Sequence, residues 1–243
     1  MEDLDYTATY RKHVADLKEM ISSDHALRVA VGGEFEAIGK LEIALLRQFG
    51  LGDEPALVVD VGCGSGRLAL QLAPYPQYSY VGMDIVADLI LYAHRLIRRS
   101  DWVFIETQGT KIRCVDGAAD FVCFFSVFTH LFPQDIYRYL QEAKRVLKPG
   151  GKIAFTFLEF RLDSHWRIFE STLNQHVKNV HLDQLISRDA IEAWAKRLGL
   201  SILALEDGDR PHIPLQEPIL YEDGRTMEGL GHFGQSVCVL QNM

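Results

Sequence analysis

The sequence lacks a long apolar run. No segment reaches the roughly 18 consecutive apolar residues that a helix needs to cross a bilayer. The opening segment MEDLDYTATYRKH is charged and has no apolar centre, so it does not resemble a secretory signal. We therefore expect a cytoplasmic protein with no membrane partner. A hydrophobic content of 48% over 243 residues indicates a globular chain with ample core.

Cysteine is scarce, and its spacing follows no pattern. The four cysteines are Cys63, Cys114, Cys123 and Cys238. They lack the paired spacing of a zinc site and do not form the framework of a disulfide-rich domain. We therefore expect neither a structural metal nor disulfide bonds.

An excess of positive charge is also missing. The chain has 25 basic residues against 33 acidic ones, a formal net charge of −8. Proteins that bind an extended phosphate backbone usually carry a basic stripe. The densest basic cluster (Arg95, Arg98 and Arg99) lies at the end of a predicted helix, where cations complement the helix dipole and extend into water. We therefore expect no nucleic-acid partner.

The most informative stretch is VVDVGCGSGRLAL, residues 58–70. Its β-branched apolar residues predict a strand buried on both faces, and the leucines after them predict a helix. Between them, Gly62, Gly64 and Gly66 allow the backbone to turn sharply and to approach a ligand closely. A strand, a glycine turn and a helix form the first crossover of a doubly wound sheet.

The glycine spacing narrows the possible classes of ligand. The pattern Asp60-x-Gly62-x-Gly64-x-Gly66 differs from the dinucleotide fingerprint G-x-G-x-x-G, because the third glycine comes one position early. This disfavours a nicotinamide oxidoreductase. A second predicted strand, YSYVGMD, ends on Asp84. The loop and this acid together resemble the class I S-adenosylmethionine-dependent methyltransferases.

Two further segments extend the resemblance, which covers about residues 55–205. They are S-V-F-T-H-L at 126–131 and R-V-L-K-P-G-G at 145–151. The resemblance implies an α/β fold: a doubly wound, Rossmann-like, mostly parallel seven-stranded sheet with an antiparallel last strand. After the first two strands, the pattern predicts strands at Trp102–Glu106, Asp120–Phe125, Lys152–Phe157, Leu200–Leu205 and Ser236–Leu240. Helices are predicted from Leu4 to about Met20, at Glu34–Phe49, from the glycine loop to about Ala73, and at Ala87–Arg99, Gln134–Leu147 and Arg188–Leu198.

Residues 1–50 form a helical extension ahead of the methyltransferase domain, residues 51–243. Helices in this place cover the cofactor in similar enzymes, and the pair Gly32-Gly33 offers a hinge. Packing against the sheet edge is the alternative. The thirty residues Glu206–Gln235 have no clear pattern, which indicates either a functional loop or an incorrect assignment of elements.

The resemblance implies that S-adenosyl-L-methionine is the cofactor. The residues that it assigns to cofactor binding are Asp60, Gly62, Cys63, Gly64, Asp84, Ile85, Gln108, Gly109 and Ser126. Backbone atoms of the glycine loop face the methionine portion, and Asp60 organises that loop. The Ser126 backbone closes the floor beneath the methionine.

The resemblance also assigns the contacts to the nucleoside part of the cofactor, and Asp84 has two possible roles. Asp84 binds the ribose hydroxyls, or it only caps the following helix. Ile85 lies against the adenine ring, and the adenine edge meets Gln108 and Gly109. Many similar enzymes have an acidic residue where this chain has Gln108. A glutamine can still accept from an amino group and donate to a ring nitrogen.

His130 is the candidate catalytic base, because imidazole titrates near neutrality and this residue lies just after the fourth strand. The alternative is a packed histidine bonded to backbone. Five other polar or aromatic residues have no diagnostic spacing, and we expect them to be exposed loop residues. Glu159, His165 and Trp166 come just after the fifth strand at the open end of the sheet, and His212 and His232 lie in the late loop, from which they could approach the pocket.

The segment after the fourth strand excludes several branches of the family. The chain has Phe124-Phe-Ser-Val-Phe there, not the D/N-P-P-Y segment of enzymes that methylate exocyclic amino groups of nucleic acids. It also lacks the glutamate pair of arginine methyltransferases and a metal-binding carboxylate trio. The sequence therefore predicts in-line methyl transfer to oxygen or nitrogen of a small or medium-sized acceptor. The alternative is a catalytically silent S-adenosylmethionine-binding sensor or scaffold. The sequence does not indicate an oligomeric state.

Overall fold

The computed structural model of the chain describes residues 6–21, 23–173 and 183–243. Its helices are α1 (Tyr6–Met20), α2 (Ser23–Val29), α3 (Phe35–Gln48), α4 (Arg67–Leu72), α5 (Ala87–Ile97), α6 (Pro133–Val146), α7 (Asp163–Thr172) and α8 (Arg188–Leu198). The long strands are β1 (Ala56–Val61), β2 (Tyr78–Asp84), β3 (Val103–Glu106), β4 (Ala119–Phe124), β5 (Leu147–Phe157) and β6 (Leu200–Glu206). Four two-residue strands come next, β7 (Ile213–Pro214), β8 (Ile219–Leu220), β9 (Thr226–Met227) and β10 (Leu230–Gly231), and then β11 (Ser236–Asn242). Within these ranges, no helix is both long and apolar enough to span a membrane.

Seven strands form one twisted sheet in the order β3-β2-β1-β4-β5-β11-β6. The pairs from β3 to β5 are parallel, whereas β11 runs antiparallel to both of its neighbours. The predicted fold class, including the antiparallel last strand, is confirmed. The strand order reverses between β1 and β4, and ligands of open α/β sheets bind at such a switch point.

The central strand β1 is buried on both faces, as its β-branched sequence predicted. Val58 packs into the apolar cluster that contains Leu41 and Leu68. Val59 points the other way and joins Ile136, because successive side chains of a strand face opposite sides. The sheet is therefore covered by α3 and α4 on one face and by α6 and α8 on the other.

Two helices were not predicted. Helix α2 lies inside the segment 22–33, which we expected only to link two helices, and α7 comes after β5. Helix α2 is short, and its buried Leu27 packs with Val14 of α1 and Leu89 of α5. Tertiary packing, rather than a local pattern, stabilises so short a helix.

Several predicted boundaries shift. Helix α6 ends at Val146 and β5 begins at Leu147, so Pro149-Gly150-Gly151 lies within the strand rather than ahead of it. Helix α1 begins at Tyr6, and the predicted start at Leu4 lies outside the described residues. The segment 206–235 is not wholly irregular, because β7 pairs with β10 and β8 with β9. Buried Ile213 and Ile219 anchor these small sheets to the cluster around α3.

Candidate active site

The glycine loop after β1 is held against the end of β2. The N–H groups of Gly62 and Cys63 both donate to the Met83 carbonyl, at 2.7 and 3.0 Å. Gly62 has φ 76°, and a Cβ there would lie 2.4 Å from Val127 Cγ2. Gly64 has φ 52°, and its Cβ would lie 2.4 Å from Val31 Cγ1. Both the backbone conformation and the available space therefore require glycine at these positions.

Two adjoining cavities lie beside this loop. The larger has a volume of about 320 Å³ and the smaller about 120 Å³. Tyr10, Gly62, Ser126 and His130 line both cavities. Because the two cavities share these walls, they form a groove across the carboxyl ends of β1, β2 and β4. Such a groove can hold an elongated ligand.

Asp84 is the carboxylate of the smaller cavity. Its Oδ2 accepts from Gly64 N and its Oδ1 from Val86 N, both at 2.9 Å. Burial raises the pKa of Asp84 to about 6, although these amides act in the opposite direction. Val86 is itself the N-cap residue of α5, and that helix has no side-chain capping bond, so the bond to Val86 forms a turn ahead of the helix and does not make Asp84 its cap. A carboxylate has about four lone-pair sites, so both oxygens can still accept from ribose hydroxyls.

Asp60 lines the larger cavity and is 3% exposed. The Tyr80 hydroxyl donates to its Oδ2 at 2.7 Å. Burial, and then the negative charge of Glu42, raise the pKa of Asp60 to about 7. The observed partner of Asp60 thus lies on β2, and its predicted role in organising the loop stays a prediction.

The wall of the larger cavity also contains a buried ion pair that the sequence did not predict. Arg67 at the start of α4 contacts Glu42 of α3, with Nη2 2.6 Å from Oε1. Its Nη1 also donates to the Val31 carbonyl at 2.9 Å. The signal was a glutamate among the leucines of the apolar face of α3, because a charge in that place needs a partner.

Cys63 and Ser126 both line the larger cavity. The Cys63 side chain is buried against Gly82, where a Cβ would lie 2.9 Å from its Sγ. Burial raises the pKa of this thiol well above its usual value, which agrees with a small packed residue rather than a nucleophile. Ser126 has φ 59°, a left-handed conformation rare outside glycine, and its N–H donates to Thr156 Oγ1 at 2.7 Å.

Only some of the residues predicted for the adenine side line the smaller cavity. Ile85 and Gly109 line the smaller cavity. Gln108 is exposed and lies outside the wall of that cavity. The wall instead contains Thr107, which is 3% exposed and was not singled out from the sequence.

His130 lies in the 3-10 turn Phe128–His130 and is half-buried. Its N–H donates to the Val127 carbonyl at 2.9 Å, and its ring centroid is 5.7 Å from that of Tyr10. This main-chain bond belongs to the turn and does not involve the imidazole, whereas the place of His130 on both cavity walls agrees with a role toward the ligand. Its function as a base stays a prediction.

The expectation of exposed loop residues after β5 was wrong for Glu159 and His165. They are 2% and 0% exposed. Glu159 accepts from Arg188 at 2.8 and 3.0 Å, and its own N–H donates to His165 Nδ1 at 3.0 Å. These contacts join the end of β5 to α7 and α8, and no local pattern indicated such long-range partners. Trp166 is exposed as expected, whereas His212 and His232 are half-buried.

Among the residues that the structure describes, no cluster of three or more His, Cys, Asp or Glu side chains could hold a metal ion.

Comparison with known proteins identifies the family. A family model described as a methyltransferase domain matches residues 59–155. The chain is 30% identical over 186 residues to the malonyl-[acyl-carrier protein] O-methyltransferase of Geobacter sulfurreducens, covering 72% of this chain and 68% of that protein. The chain belongs to the class I S-adenosylmethionine-dependent methyltransferases.

This methyltransferase is also similar to two other known methyltransferases. It is 31% identical over 103 residues to the trans-aconitate 2-methyltransferase of Azoarcus sp., over 42% of this chain and 39% of that one. The magnesium protoporphyrin IX methyltransferase of Synechocystis with bound S-adenosylmethionine has a TM-score of 0.60 at 13% identity, with 100% of both chains covered. At this identity the structural likeness shows the fold alone.

Two observations of the groove fit the cofactor of this methyltransferase family. Gly62 and Gly64 line the larger cavity without side chains, and an added Cβ at either position would collide with Val127 or Val31. The wall of the smaller cavity also contains Thr107, whose buried Oγ1 has no hydrogen-bond partner among the described residues. A ligand with polar edges can bind to both features.

Proposed function

We propose that this methyltransferase transfers the methyl group of S-adenosylmethionine to a carboxylate oxygen of a small or medium-sized acid. The observation that carries the proposal is a pair of imidazoles, His13 of α1 and His130, on the wall of the larger cavity. Their ring centroids lie 6.2 and 5.7 Å from that of Tyr10, on neighbouring segments of the same wall. Imidazoles are suited to hold an anion, since they titrate near neutrality.

The names of two relatives support an acid as acceptor. One is a malonyl-[acyl-carrier protein] O-methyltransferase and the other a trans-aconitate 2-methyltransferase. A malonyl group ends in a carboxylate, and aconitate carries three. A carboxylate is already ionised at neutral pH and needs no general base. In this proposal His130 therefore binds the acceptor and does not remove a proton from it.

The cofactor placement is part of the proposal. The backbone of Gly62, Cys63 and Gly64 faces the methionine portion in the larger cavity, and the Ser126 backbone closes its floor. Asp84 accepts from the ribose hydroxyls, while Ile85 and Gly109 border the adenine ring in the smaller cavity. We leave Gln108 out of this assignment, because its side chain is exposed and lies outside the cavity wall.

When bound, the cofactor supplies a methyl group on a sulfonium, which the acceptor displaces in line. The protein then has to align the reactants and exclude water. Asp60, Glu42 and Arg67 are buried beneath the larger cavity. The Arg67–Glu42 ion pair and the Asp60 carboxyl make that wall polar.

We also propose that α1 and α2 form a cover over the groove, whereas α3 is part of the core. Tyr10 lines both cavities, and its hydroxyl donates to the Ala30 carbonyl at 3.1 Å. Arg11 Nε donates to the Ile85 carbonyl at 3.0 Å, which fixes α1 to the rim of the smaller cavity. Gly32 and Gly33, with no atom within 4 Å of an added Cβ, provide the hinge before α3.

Calorimetry and product analysis test this function. The wild type should bind S-adenosylhomocysteine, and Asp84→Ala should bind it at least about tenfold more weakly, which is about 1.4 kcal/mol. With S-adenosylmethionine, the enzyme should form alkali-labile methyl esters from one of a panel of dicarboxylic and thioester-linked acids. Methylation only of an amine or a phenol contradicts the carboxylate proposal. Binding without transfer to any acceptor in a broad panel identifies a silent binding protein instead.

A further inference from the structure

Thr107 is the residue immediately after β3. Its N–H donates to the Asp84 carbonyl at 2.8 Å, so the pairing of β3 with β2 continues one residue past the strand. This bond fixes the backbone at the point where the side chain enters the wall of the smaller cavity. Thr107 is therefore placed by the sheet rather than by a loop.

The hydroxyl of Thr107 has no hydrogen-bond partner in the part of the chain that the structure describes. Over residues 6–21, 23–173 and 183–243, three buried side-chain atoms lack a hydrogen bond, namely Arg11 Nη2, Thr107 Oγ1 and His212 Nε2. Of these three residues, only Thr107 lines the smaller cavity. A buried hydroxyl without a partner is costly, and native proteins rarely keep one unless something outside the chain satisfies it.

The other polar groups around this cavity already have partners. Both oxygens of Asp84 accept backbone N–H groups, and the Tyr139 hydroxyl donates to the Gly109 carbonyl at 2.9 Å. Apolar side chains make up much of the remaining wall: Val61, Met83, Ile85, Val127 and Leu131. The cavity thus offers apolar surfaces for a flat ring and one unused hydroxyl for its polar edge.

An adenine ring has this chemistry. Its edge carries an amino donor next to ring nitrogens that accept, and a hydroxyl can both donate and accept. We infer that Thr107 binds the polar edge of the adenine of S-adenosylmethionine, in the place for which the sequence had indicated Gln108. This inference rests on the cofactor placement proposed above and does not depend on the acceptor.

The first test separates binding from stability. Thr107→Val keeps the shape of the side chain and removes the hydroxyl, whereas Thr107→Ser keeps the hydroxyl. In calorimetry with S-adenosylhomocysteine, we expect the valine variant to bind about tenfold more weakly and the serine variant to stay within about threefold of the wild type. The melting temperature of the ligand-free valine variant should not fall, because the variant loses an unsatisfied group. A lower melting temperature with unchanged binding assigns the hydroxyl a structural role and overturns the inference.

The second test locates the contact on the ligand. A thermodynamic cycle compares the wild type and Thr107→Val, each with S-adenosylhomocysteine and with its analogue that lacks the 6-amino group. We expect the two changes to be coupled by about fivefold or more. Independent effects, or coupling found instead with a 2′-deoxy analogue, overturn the assignment to adenine. Tight binding by the wild type with an unaffected valine variant overturns only the role of Thr107, whereas no binding by the wild type overturns the cofactor placement as well.

Discussion

Arg67 and Glu42 form an ion pair that is almost wholly buried, with 9% and 2% of their side chains exposed. The pair joins α3 to the first residue of α4, directly after the glycine loop. Removing one partner of such a pair leaves an uncompensated charge in the interior. We expect Arg67→Met to reduce the free energy of unfolding by about 3 kcal/mol, measured by urea denaturation.

The double variant Glu42→Leu/Arg67→Met should recover much of that loss, because two apolar side chains replace two paired charges. Lys12→Met provides the control, since Lys12 forms an exposed pair with Asp16, with side chains 56% and 54% exposed. Its unfolding free energy should change by less than about 1 kcal/mol. A double variant less stable than the single one would contradict our account of this pair.

The contribution of Asp60 to the free energy of unfolding should fall as the pH rises, which is the opposite of the usual direction for an aspartate. Its pKa is raised to about 7 in the folded protein, well above the unfolded value of about 4. Between these two values the folded state therefore binds more protons, and the contribution of Asp60 to stability falls as the pH rises. Asp60→Asn should be more stable than the wild type at pH 8, by on the order of 1–3 kcal/mol. An equal difference at pH 4 and pH 8 in denaturant titrations would contradict this assignment.

The glycine loop should not accept a methyl group. Gly62→Ala combines a positive φ with a contact of 2.4 Å to Val127, so we expect binding of S-adenosylhomocysteine to weaken about tenfold or more. Gly52→Ala is the matched control, because nothing lies within 4 Å of its added Cβ and its φ is not in the left-handed region. Calorimetry that finds the two variants equal would show that the loop has more freedom than the structure indicates.

Local patterns predicted the parts of the fold that depend on neighbouring residues. The alternation of Val58 and Val59 between two clusters results from the period of a strand. The end of β2 at Asp84 results from the turn that comes after it. The family resemblance then supplied the seven-stranded sheet with its antiparallel last strand and the cofactor, neither of which is a local property.

The features that the sequence did not predict depend on partners far along the chain. Helix α2 is stabilised by contacts with α1 and α5, and Glu159 by Arg188 at a separation of 29 residues. The resemblance assigned Gln108 to the adenine side, whereas the cavity wall contains Thr107, whose N–H continues the pairing of β3 with β2. A shift of one residue turns a side chain to the other face of a strand, and composition carries no signal for it.

The role of His130 can be decided by the sign of a pH dependence. If its imidazole holds an anionic acceptor, the protonated form binds better, so kcat/KM for the acceptor should fall as the pH rises through neutrality. A general base gives the opposite slope, because only the neutral form accepts a proton. His130→Gln keeps a hydrogen-bond donor without a titrating charge and should reduce the slope of the profile while lowering kcat/KM by about tenfold. Asp60 lines the same cavity and has a pKa of about 7, so its charge contributes a slope that remains in this variant. The assay needs saturating S-adenosylmethionine at every pH, because Asp84 in the proposed cofactor site has a pKa of about 6. A profile that rises in the wild type and no longer rises in His130→Gln would restore the catalytic base and argue against a carboxylate acceptor.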